Sequence, residues 1–133
     1  MSRPNDIRSD IFDCIILTHT LLCMFDTRSA FSGLHRILKP GGVLLVTIPG
    51  ICQISRYDTD RWGDYWRFTL FEEAFSPNDI TVEHHGNVLV ASAFLCGVSV
   101  EELRKQELDH NDADYPLVIT VRATKRREPP TNS

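Results

Sequence analysis

A chain of 133 residues, 42% hydrophobic and 24% charged, can close one hydrophobic core and is too short for two ordinary domains. Its formal charge of −4 argues against a nucleic-acid binder, which needs a concentrated basic face for the phosphates. Four cysteines form no C-x-x-C pair and three sit in or beside apolar runs, so they read as reduced, buried, intracellular thiols and not as a disulfide framework or zinc site.

Residues 1–11 are mostly polar or charged and offer little to pack, so a flexible N-terminal segment is expected there. They contain no apolar core of a secretory signal. The run Cys14-Ile15-Ile16-Leu17 is continuously apolar, which suits a strand covered on both faces. The greasy stretch from Ile15 to Phe25 is interrupted by Thr18, His19 and Thr20 and is too short to span a bilayer. A soluble, cytoplasmic protein with no membrane contact is the expectation. Thr18-His19-Thr20 then falls at the carboxyl end of a parallel strand, the edge where open α/β sheets bind ligands. These three residues form either a wall of a cofactor or substrate site, or an ordinary loop histidine between two turn-forming threonines.

Arg28 to Leu38 sets Ala30, Phe31, Leu34, Ile37 and Leu38 at helical spacing, so one stripe can lie on a sheet. Asp26 or Thr27 supplies an N-cap oxygen, Lys39 favours the negative end, and Pro40-Gly41-Gly42 is expected to stop the helix. Val43 to Ile48 is a second strongly β-prone strand. Strand, helix and strand in this order make a βαβ unit of a parallel sheet.

The loop beyond Pro49-Gly50 concentrates aromatic rings and arginines: Arg56, Tyr57, Trp62, Tyr65, Trp66 and Arg67 lie within a dozen positions. Aromatic faces stack on flat ligands and arginine forks pair with anions, so this segment reads as a lid over a substrate pocket. An aromatic plug closing the end of the core fits the same composition. Asp58, Asp60 and Asp64 do not make a calcium loop, because Trp62 stands where the EF-hand pattern needs an oxygen ligand and Thr69 where it needs a glutamate; no metal is expected. Thr69 to Phe75 is a short helix with Thr69 and Glu72 as a capping box, and Ile80 to His85 is a strand. Adjacent His84 and His85 point to opposite faces of that strand and cannot chelate one ion together. Val88 to Val98 is apolar nearly all round, the mark of a buried or cavity-lining helix. Ser99-x-x-Glu102 is a capping box for a helix over Val100–Leu108, Leu117 to Thr124 is a last strand, and residues 125–133 read as a flexible, solvated tail.

Phe12-Asp13-Cys14-Ile15-Ile16, then His35-Arg36-Ile37-Leu38-Lys39-Pro40-Gly41-Gly42 and Val43-Leu44-Leu45-Val46-Thr47, resemble the fourth strand, fourth helix and fifth strand of class I S-adenosylmethionine-dependent methyltransferases. Asp60-Arg61-Trp62-Gly63-Asp64-Tyr65-Trp66-Arg67-Phe68-Thr69 and the late Gly86–Gly97 segment resemble small type 11 members of that family. The resemblance implies an α/β fold: a partial Rossmann-like sheet of the family's strands four to seven, the last antiparallel, with flanking helices, over residues 12–124 as the C-terminal half of a methyltransferase domain. It implies S-adenosylmethionine as cofactor, bordered by Thr18, His19 and Thr20, with His19 as the one candidate base. A small-molecule acceptor would face Arg56, Tyr57, Trp62, Tyr65, Trp66 and Arg67. The family's first half has no counterpart here, and the seven glycines include no G-x-G spacing, so weak or absent cofactor binding is expected of the chain alone. A truncated, non-catalytic remnant acting as a partner or oligomerisation module is the alternative. In the family's strand order the Phe12–Leu17 strand becomes an edge, which invites pairing through residues 12–18 with a second copy or with a missing N-terminal half.

Overall fold

The computed structural model describes residues 7–51, 70–112 and 114–127. Strand β1 (Phe12–Thr18) leads through a single 3₁₀ turn at Leu21–Cys23 into helix α1 (Thr27–Ile37). Of the two cap residues the sequence offers, Asp26 takes the role. Its Oδ1 accepts the Ser29 amide at 2.9 Å and its Oδ2 accepts the Ser29 hydroxyl at 2.6 Å. Those two bonds favour the ionised form and hold the Asp26 carboxyl below its ordinary range.

Helix α1 ends earlier than expected and without a glycine. Leu38 already has extended dihedrals (φ −69°, ψ 138°) while its N–H still donates to Leu34 O, and strand β2 (Leu38–Pro49) starts there. Pro40-Gly41-Gly42 lies inside the strand and makes an excursion in it: Phe12 pairs with Leu38, but Cys14 pairs with Val43. Gly41 sits at φ +85°, and a Cβ on Gly42 would come 2.8 Å from Lys39 O, so both positions need glycine. Lys39 serves not the helix end but Asp13, on the neighbouring strand at 2.9 Å.

Helix α2 (residues 70–74), a 3₁₀ turn at Pro77–Asp79, strand β3 (Ile80–His85), helix α3 (Val88–Leu95), a 3₁₀ turn at Val100–Glu102, helix α4 (Lys105–Asp109) and strand β4 (Val118–Thr124) follow. The sheet order is β1-β2-β4-β3, with β1 and β2 parallel and β4 antiparallel to both its neighbours. This is the order expected of the family's strands four, five, seven and six.

The core lies on one face of this sheet. Leu44, Val46 and Ile48 of β2 and Ile119, Val121 and Ala123 of β4 pack with Phe31 of α1 and with Leu70, Phe71 and Phe75. Phe31 and Phe71 meet edge to face, ring centres 4.5 Å apart. Among the described residues the opposite face is open along β1 and at Leu45 and closed at Pro49 and the Thr47 hydroxyl, which corrects the expectation of a first strand covered on both sides. Cys14 is exposed, Ile16 is 69% exposed and Leu45 is 36% exposed. The alternation of strand side chains explains it, since helices α1 and α2 cover only the side to which Ile15, Leu17 and Leu44 point.

Four other expectations change. Helix α3 is not a buried rod: Ala91 and Ala93 are buried, but Val88, Leu89, Phe94 and Leu95 are exposed, with Phe94 at 53%. The helix expected over Val100–Leu108 divides at Leu103 into the 3₁₀ turn and α4, each with its own reciprocal cap; Glu102 Oε2 accepts the Ser99 amide and Glu107 Oε2 the Arg104 amide. Cys14, Cys23 and Cys96 are exposed, not buried. Lys125, read as part of a solvated tail, has a side chain only 14% exposed that donates to Asp10 Oδ1 and to Leu38 O, each at 2.8 Å. Thr69, and with it the capping box at Thr69 and Glu72, lies outside the described residues.

Candidate functional site

The carboxyl end of β1 carries the one backbone feature of the rim that chain propensity does not explain. His19 adopts φ +49°, the left-handed region that non-glycine residues rarely occupy, and its N–H donates to Thr47 O at 3.0 Å. The sheet bond and the turn together hold it there. Thr20 Oγ1 donates back to Thr18 O at 2.9 Å and closes the turn. Thr18, His19 and Thr20 are all exposed, so the sequence-predicted rim does form one contiguous surface at the strand end. Histidine is among the residues that tolerate this conformation, at a cost of order 1 kcal/mol, and such positions cluster at functional sites.

Thr47, which the sequence reading did not select, belongs to the same rim. It is the β2 partner of Thr18, and its Oγ1 is withdrawn from water with no hydrogen-bond partner among the described residues. A lone hydroxyl in the otherwise apolar run Val43–Ile48 was the available signal. By strand alternation Thr47 shares the face of Leu45, where it helps line a shallow depression of about 360 Å³ with Ile16, Thr81, Glu83, Thr120 and Arg122.

A second concavity of about 250 Å³ lies between α1 and α2, lined by Arg28, Phe31, Ser32, His35, Leu70, Glu73 and Ala74. Its charges are matched internally. Arg28 grips Glu73 through two bonds of 2.7 and 2.8 Å, which raise the guanidinium and lower the carboxyl from their ordinary values. Partial burial lowers the His35 imidazole, with Lys125 adding to the effect and Asp10 opposing it, and the ring packs edge-on against Phe75 at 5.1 Å. This is a clasp between helices more than a receptor for ligand charge.

Arg56, Tyr57, Trp62, Tyr65, Trp66 and Arg67 lie outside the described residues, and with them the choice between lid and plug. His84 is half-buried and His85, whose Nε2 lies 3.1 Å from Thr120 Oγ1, is exposed on the other side of β3. Among the described residues no three His, Cys, Asp or Glu side chains gather as a metal site, and no helix is long and apolar enough to cross a membrane.

The rim fits a nucleoside cofactor only in part. His19 and the orphan Thr47 hydroxyl can border such a group, but the described rim holds no glycine pair that would let backbone approach it closely. Asp26, the next carboxylate along the chain from the rim, is engaged as a helix cap. The described residues make a wall and not a cradle.

Residues 4–46 match the family model described as a methyltransferase domain. The fold is similar to an S-adenosylmethionine-dependent methyltransferase from Archaeoglobus fulgidus, with TM-score 0.60 and 11% identity over 92% of this chain and 63% of that one. It is similar to an S-adenosylmethionine-dependent methyltransferase from Thermotoga maritima, with TM-score 0.58 and 17% identity over 91% and 59%. It also resembles phosphoethanolamine N-methyltransferase 2 of Haemonchus contortus, solved with phosphomonomethylethanolamine and S-adenosylhomocysteine, with TM-score 0.58 and 20% identity over 92% and 35%. The chain thus spans less than two thirds of each of these three proteins. No curated protein matches the sequence.

Proposed function

From a chain that carries the Rossmann-like fold of S-adenosylmethionine-dependent methyltransferases, we propose that its part in the chemistry is the acceptor-side half of a methyl-transfer site. The observation that supports this most directly is His19, held at φ +49° where a parallel strand delivers its end to the ligand edge of the sheet. Thr18, His19 and Thr20 border the methionine end of S-adenosylmethionine, and His19 is the residue positioned to accept a proton from the acceptor. Arg56, Tyr57, Trp62, Tyr65, Trp66 and Arg67 face a small-molecule acceptor. Residues 12–124 form the working unit, flanked by 1–11 and 125–133, and the protein acts in the cytoplasm. Catalysis of this kind is largely alignment of an acceptor atom with an activated methyl group.

A second reading has its own support. Among the described residues the wall has no cradle and one sheet face is largely open, which suits a non-catalytic module that assembles through residues 12–18 with a second copy or an N-terminal half. Titration of the labelled chain with S-adenosylhomocysteine, followed by amide chemical shifts, separates the two. Shifts confined to Thr18, His19, Thr20 and Thr47 at millimolar ligand support the methyl-transfer wall. Their absence at that concentration refutes it.

A further inference from the structure

We draw no further inference here: the strongest candidate, the depression beside the Thr47 hydroxyl on the sheet face shared by Ile16, Leu45, Glu83 and Arg122, carries nothing because no described residue shows what covers that face.

Discussion

Adjacent leucines in β2 measure whether the sheet has one covered face or two. Leu44 is 0% exposed and Leu45 is 36% exposed, on opposite faces of the same strand. Leu44→Ala removes side-chain atoms from a closed core of Phe31, Phe71, Val46 and Val121, so it loses both their transfer free energy and the cavity they leave. Such sites cost about 2–5 kcal/mol, and a strand-centre position with no solvent access belongs near the middle, at about 3–4 kcal/mol. Leu45→Ala opens to solvent and leaves no cavity. About two thirds of the side chain's transfer free energy is at stake, which comes to about 1–2 kcal/mol. Urea unfolding followed by circular dichroism, at dilution where the chain is monomeric, reads both as shifts in midpoint at unchanged slope. Equal losses for the two substitutions would mean that the second face is covered as well, and the one-sided core would have to be abandoned.

His19→Gly removes the left-handed strain and is expected to leave stability unchanged or raise it by up to about 1 kcal/mol, while abolishing the amide response to S-adenosylhomocysteine; a large loss of stability would show that the ring is a packing element. Calorimetric titration of the chain with S-adenosylmethionine should show no low-micromolar binding, which would correspond to about −8 kcal/mol and require a cradle that the rim does not provide. His35, lowered by burial, by Lys125 and against Asp10, with Phe75 packed on its ring, binds its proton less readily in the folded chain than in the unfolded one. Its contribution is therefore complete above the ordinary imidazole range near ~6.5 and is lost as pH falls below it; His35→Asn should flatten stability between about pH 5 and 7, and an unchanged profile would assign the slope elsewhere.

The pattern of apolar residues located the four strands and the βαβ unit, whereas their order across the sheet was legible only through the family likeness. What the pattern could not supply was which faces find a cover. Cys14-Ile15-Ile16-Leu17 has the composition of a central strand, yet Ile16 is open to water, since composition records affinity for a neighbour and not its presence. Helix α3 misled in the same way: an all-apolar helix reads as buried, and here only Ala91 and Ala93 are. Proline and glycines at 40–42 signalled a break correctly, but the break belongs to the strand, because Leu38 turns extended before they are reached. Asn87 was passed over altogether. It caps α3 through Val90 N–H and donates to Glu107 O and His110 O at 2.8 and 2.7 Å, joining segments that spacing cannot relate. At the rim, Thr18 to Thr20 were legible from position alone, whereas Thr47 required knowledge of which strand lies beside β1.

The bond from Lys125 to Asp10 and Leu38 O has a consequence for anything attached to this unit. Asp10 precedes β1 and Lys125 follows β4, whose last residue Thr124 pairs with Val43, so both polypeptide exits share one corner at the amino-terminal end of the parallel strands. His19 stands at the far end of β1, about 20 Å away for a strand of this length. Fused domains, tags or surface tethers joined at either exit would therefore crowd one another before they shaded the histidine.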